Sequence, residues 1–238
     1  MNMSLDRNFF TQIGLDSAAL TMLGTITHTF REAGEYRGVV RRTTGPEAAF
    51  YISADKNSSV AQVNIDLATL AHGTGGEPKC GCSAAQNRFV VHPKGYVLFH
   101  VSGGQGGYSV HVRKAEEDPN VKIFDSRELQ EGDVFSAVIL RPGTYSVTNL
   151  LTKAKGEITV SYPTVGKRPY RPPGPLVVEC TAKAIESGKV KLQPGQGLNF
   201  QLKVPSRIKI ELLKPDDGPK RPRETEIGGW KKTTLESD

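Results

Sequence analysis

The hydrophobic positions of this chain fall into short alternating runs broken by glycine and proline. The pattern is densest from Asn87 to Val160. Phe89, Val91, Val97, Phe99 and Val101 recur at strand spacing around a Pro93-Lys94-Gly95 break. After a GGQGG loop, Tyr108, Val110 and Val112 alternate, and an acidic loop then leads into SRELQEGDVFSAVILRPGTYSVTN and KGEITVSYP. A period of two puts every second side chain on one face, so these runs predict half-buried strands. Upstream, TITHTFR, EYRGVVRR and AAFYISAD predict three more, parted at Ala33-Gly34 and Gly45-Pro46. VAQVNIDL (Val60–Leu67) is a further candidate, and LVVECTA, GKVKLQPGQGLNFQLK and SRIKIELLK supply the last. FREAGEYRGVVRR and LRPGTYSVTN both set a glycine just before a tyrosine strand. That reads as one turn-to-strand solution used twice rather than as a duplication. Helical spacing is confined to Ser4 to Leu23, where Phe9, Phe10 and Ile13 recur and Asp16 stands ready to cap a second short helix.

The order of the central pieces resembles the cupredoxin family. Val91 to Val101, Tyr108 to Val112, Leu129 to Ser136, Pro142 to Tyr145 and Gly156 to Val160 match its successive strand segments. The resemblance implies an all-β fold, a cupredoxin-like Greek-key β-sandwich over residues 60–162. Flanking strands over 24–59 and C-terminal strands over 176–213 would be added to it. An N-terminal helical arm (1–23), a proline-rich linker (163–175) and an extended tail (214–238) complete the expected organisation. The family's copper chemistry does not carry over. A blue-copper site needs two imidazoles, a thiolate and a weak axial thioether, and the matching positions hold Tyr108, Asn149, Thr152 and Lys153 or Ala154. His111 lies one face off the register of the first histidine.

A net charge of +6 over 238 residues is too modest for a dedicated nucleic-acid binder. The basic residues look dispersed, at Arg41-Arg42, Lys167-Arg168-Arg171 and Lys220-Arg221-Arg223, so nucleic acid or another anionic surface is a weakly supported partner. No apolar run is long enough to span a bilayer. MNMSLDRNFF has no basic-then-apolar leader, so the expected compartment is the cytoplasm and membrane partners are not expected.

Candidate chemistry is sparse. Cys80 and Cys82 share a glycine-rich loop with His72, and His92 follows closely. Two thiolates one residue apart are poorly spaced for zinc, so free thiols are expected. Zinc or copper held by Cys80, Cys82, His72 and His92 is the alternative. Ser109 and His111 share a strand face without a nucleophile elbow or an orienting acid. No catalytic residue and no cofactor is therefore expected. The sequence points to a non-enzymatic structural or assembly protein acting through protein contacts and forming a homo-oligomer. Phe9, Phe10 and the lone Trp230 would be its docking anchors. The alternatives are a metal-handling or redox protein and a small-ligand binding module, for instance for carbohydrate.

Overall fold

A computed structural model describes residues 13–72, 87–104, 106–116, 121–163, 169–186, 188–216 and 218. The chain is all-β. Its strands are β1 (Gly14–Asp16), β2 (Gly24–His28), β3 (Gly34–Arg42), β4 (Ala48–Ala54), β5 (Gln62–Asp66), β6 (Arg88–Val91), β7 (Tyr96–His100) and β8 (Tyr108–Lys114). There follow β9 (Phe124–Asp125), β10 (Val134–Val138), β11 (Gly143–Asn149), β12 (Lys155–Val160), β13 (Leu176–Cys180), β14 (Lys189–Leu192), β15 (Gly197–Leu202) and β16 (Ile208–Pro215). Among the described residues a short helix, α1 (Leu67–His72), follows β5.

The strands form three mixed sheets. The central sheet runs β13-β15-β10-β2-β7-β5, and the two five-stranded sheets run β1-β16-β11-β12-β14 and β9-β8-β3-β4-β6. Pairing aligns Val178, Phe200, Phe135, Ile26, Phe99 and Ile65 in one row across the central sheet. All six are buried and belong to one continuous core. Each large side chain in such a row contributes roughly 1.5–3 kcal/mol of burial.

The order of partners is the same whether read from β1 to β8 or from β9 to β16, because the fold is a duplication. Leu15, Asp16, Ser17, Leu20, Ile26, Gly34 and Tyr36 recur, at one fixed offset, as Phe124, Asp125, Ser126, Leu129, Phe135, Gly143 and Tyr145. The local geometry recurs with them. Tyr36 donates its hydroxyl to the Glu32 carbonyl at 2.8 Å, and Tyr145 donates to Arg141 at 2.7 Å. Asp16 accepts the Ala18 N–H and Asp125 the Arg127 N–H. The self-equivalent pair Ile26–Phe135 marks the pseudo-two-fold axis. The halves also exchange strands. β1 completes the sheet of the second repeat through β16, and β9 completes that of the first through β8. The Ser17 hydroxyl accepts from Ile208 N–H and that of Ser126 from Val110 N–H, so each half closes the other. What the sequence suggested was a turn used twice is thus a repeat of the whole strand set.

Two local expectations change. From Ile13 to Leu23 the chain is strand and turn rather than helix. Asp16 caps a tight turn, with Ala19 N–H bonded to the Asp16 carbonyl, while Leu15 and Leu20 enter the core. Pairing of β1 with β16 outweighs the weak local helical signal. The rest of the arm, with Phe9 and Phe10, lies outside the described residues, as do the tail beyond Gly218 and its Trp230. The described helix instead follows Asp66, whose carboxylate accepts the Ala68 N–H and the Thr69 hydroxyl.

Burial works against ionisation of Asp66, but hydrogen bonds from Ser102, Thr69 and the Ser102 and Ala68 amides hold its pKa below the ordinary value. Asp125 is likewise lowered, against burial, by Lys122 and by the Arg127 amide and charge. A carboxylate depressed on folding stabilises fully above its unfolded pKa, and that stability is lost as pH falls through the folded value. Melting temperature should therefore decline below about pH 4. The decline should be shallower in Asp66→Asn, measured by thermal denaturation across pH.

Candidate functional site

Each repeat holds two copies of a shorter pattern in which one apolar residue is followed six, eight and ten positions later by others. The four copies are Leu20-Ile26-His28-Phe30, Val91-Val97-Phe99-Val101, Leu129-Phe135-Ala137-Ile139 and Leu192-Leu198-Phe200-Leu202. These positions form the core, and His28 is the single polar side chain among them. The fold accepts Phe99, Ala137 or Phe200 in its place, so folding alone does not require an imidazole there.

His28 ends β2, and Asp133 immediately precedes β10, its antiparallel neighbour. His28 Nδ1 lies 2.6 Å from Asp133 Oδ1, with the side chains only 11% and 4% exposed. Asp133 Oδ2 accepts the Gln130 N–H at 2.8 Å, so both carboxylate oxygens are used. The imidazole is wedged between Phe30 and Phe124, with ring centroids 4.7 and 4.8 Å away. Its Nε2 is buried without a hydrogen-bond partner among the described residues. An unsatisfied buried nitrogen costs roughly 1–3 kcal/mol, which makes the position expensive for stability.

Above this pair opens a cleft of about 410 Å³, lined by His28, Phe30, Arg31, Glu32, Tyr36, Lys114, Ile123 and Gln130 to Asp133. Lys114 Nζ pairs with Glu32 at 2.9 Å, and that hydrogen bond and charge hold the Glu32 carboxyl below its usual range. Gly132, at φ +93°, brings the opposite wall so close that a Cβ there would stand 3.1 Å from the Arg31 guanidinium. The cationic and anionic groups around the opening nearly balance: Arg31 and Lys114 against Glu32 and Glu131.

The pseudo-two-fold axis carries this cleft onto a second place in the molecule, lined by Gly14, Leu15, Leu23, Val138 to Arg141, Tyr145 and Ile210. There the free space is about 10 Å³. Ala137 stands for His28, Gly24 for Asp133, Leu140 for Arg31, Met22 for Glu131 and Leu23 for Gly132. One copy is therefore open with charged residues at its rim, and the other is nearly closed and, Arg141 apart, without charged residues. No protein-family model, curated protein or solved structure matches the chain. Divergence between the two repeats is thus the internal comparison that singles out a site.

The residues singled out from sequence do not converge on this cleft. Cys80 and Cys82 lie outside the described residues, as does the His72 side chain. His92 sits in the turn before β7, where its Nδ1 accepts the Lys94 N–H at 3.1 Å. Among the described residues no group of three or more His, Cys, Asp or Glu side chains is placed to hold a metal ion. The positions matched to copper ligands are separated. Tyr108 is on β8 and Asn149 on β11, in different sheets, and the Asn149 amide is used by Ser206, Leu151 and Arg207. The remaining cysteine, Cys180, is buried, which pushes its thiol up to about 12 and leaves it a core residue rather than a nucleophile. Among the described residues no helix is long and apolar enough to cross a membrane.

Proposed function

We propose that this chain is a non-catalytic binding protein whose ligand enters the cleft over the His28–Asp133 pair. One observation carries the reading: of two equivalent places in a duplicated fold, the first keeps about 410 Å³ of open space and the second about 10 Å³. The open volume is of the size small-molecule sites have, with an apolar floor of Phe30, Tyr36 and Ile123 beneath convergent polar groups. Its nearly balanced rim charges favour a neutral, hydroxyl-rich molecule of mono- or disaccharide size over a polyanion. Saturation-transfer NMR with a panel of neutral mono- and disaccharides tests this. Signal transfer to at least one sugar is expected, and it should vanish in R31L/E131M, which gives the rim the residues of the closed copy. Absence of transfer to every sugar, or transfer unchanged in the variant, contradicts the reading.

A second reading, assembly through protein contacts, has its own support. β13 is an edge strand of the central sheet and exposes Leu176 (37%) and Val177 (55%). Its equivalent edge, β5, carries Val63 and an exposed Asn64 at those places. Apolar residues on an unpaired edge invite strand addition, so homo-oligomerisation in the cytoplasm, aided by segments 1–23 and 214–238, remains the companion proposal. The finer fold is also a proposal. The cupredoxin-like strand order over 60–162 takes the end of one repeat and the start of the next. The strands of that span are divided among all three sheets, so the Greek-key reading rests on strand order alone.

A further inference from the structure

The outer face of sheet β9-β8-β3-β4-β6 carries a second feature that its duplicate lacks. Strand register sets Arg37 of β3 directly opposite Arg113 of β8 on one side and Tyr51 of β4 on the other, and Tyr51 stands beside Arg88 of β6. The result is a straight row, Arg88-Tyr51-Arg37-Arg113, across four strands and about 14 Å at ordinary strand spacing. The Arg88 guanidinium lies over the Tyr51 ring, 5.0 Å from its centroid. Among the described residues none of the three arginines forms an ion pair. Arg37 Nε is buried without a hydrogen-bond partner among the described residues. Like charges directly opposite one another weaken a sheet, so the row opposes the stability of the strands that carry it.

The fold does not demand the row. In the second repeat the same four places are Lys189, Glu157, Ser146 and Glu211, a set of mixed charge, and Glu211 also pairs at 2.7 Å with Lys209, two residues away on β16. An arrangement that costs stability in one repeat and is replaced in the other calls for an external counter-charge. Three guanidiniums strung over this length are too far apart to close on one small anion, and they match a linear chain of regularly spaced charges. Guanidinium forks pair bidentately with phosphate oxygens, and an aromatic within a cationic track is the arrangement that holds unstacked bases.

We propose that this face binds single-stranded nucleic acid through its phosphodiester backbone, without base readout. The proposal is independent of the cleft. Fluorescence anisotropy of a labelled oligo(dT) with the full-length protein, titrated over a range of salt, tests it. Three phosphate contacts predict a log–log salt slope near about −2 for a single strand. R37Q/R88Q/R113Q should bring the slope close to zero and weaken binding at low salt at least ~10-fold. R88Q/R113Q, which spares the half-buried Arg37, should remove about two-thirds of the slope. K189Q/K209Q on the equivalent face should leave it unchanged. Salt-insensitive binding, a slope that survives the triple substitution, or no binding at low salt would overturn the proposal. So would a sulfated polysaccharide that binds more tightly than the oligonucleotide at equal salt.

Discussion

Replacing Gly38 with valine is expected to destabilise the protein by at least the upper end of the roughly 1–3 kcal/mol typical of core overpacking. Gly38 lies on β3 opposite Phe50 of β4, and a Cβ at Gly38 would stand 2.0 Å from Phe50 Cζ. The ring cannot retreat. It is fully buried and is held edge-on by Phe89 and Phe99, at 6.3 and 6.2 Å. The second repeat solves the same volume with the sizes reversed, Val147 on β11 facing Gly156 on β12. G38V/F50A should therefore cost less than the sum of its two single variants, by more than about 1 kcal/mol in urea denaturation, as coupled neighbours do. Strict additivity would contradict the steric account.

The second large effect is expected at Asp133. Asp133→Ala removes the acceptor for His28 Nδ1–H and for the Gln130 amide together. It leaves the largely buried His28 nitrogen and the part-buried Gln130 amide without that acceptor, at a cost of about 1–3 kcal/mol. Removing the imidazole as well, in H28A/D133A, takes away one of the orphaned groups. The double variant should recover at least about 1 kcal/mol relative to the sum of the singles. This is because the equivalent place already folds with Ala137 and Gly24. Chemical denaturation of the three variants measures it, and a double variant no better than additive would show that the pair is not a closed unit.

Much of the strand set was legible in the sequence, and for a simple reason. The alternation at Ile26, Val97, Phe135 and Leu198 is a local property, and glycine or proline ends each run where the backbone must turn. Partner choice is not local. GGQGG and PGQG carry turn chemistry suited to hairpins, yet they join β7 to β8 and β14 to β15 across different sheets. Gly45-Pro46 has similar chemistry and does close a hairpin, β3 with β4. Nothing within four residues distinguishes the two outcomes.

The candidate site was hidden for the same reason. His28 and Asp133 meet only because β2 and β10 are neighbours, and Arg37, Arg88 and Arg113 share a row only through register. In the chain these arginines look dispersed. A usable signal did exist: the Gly-x-Tyr repeat, extended in both directions, aligns Asp16 with Asp125 and Ser17 with Ser126. It then exposes His28 against Ala137 as the position where the copies part.

Whether one copy of the cleft is open to a ligand while its duplicate is not is tested most directly by amide chemical-shift mapping. The full-length ¹⁵N-labelled protein would be titrated with the neutral saccharides. Saturable shifts are expected at His28, Arg31 and Gly132, with Ala137, Leu140 and Leu23 unmoved. Shifts of equal size at both sets, or at neither, would contradict that asymmetry.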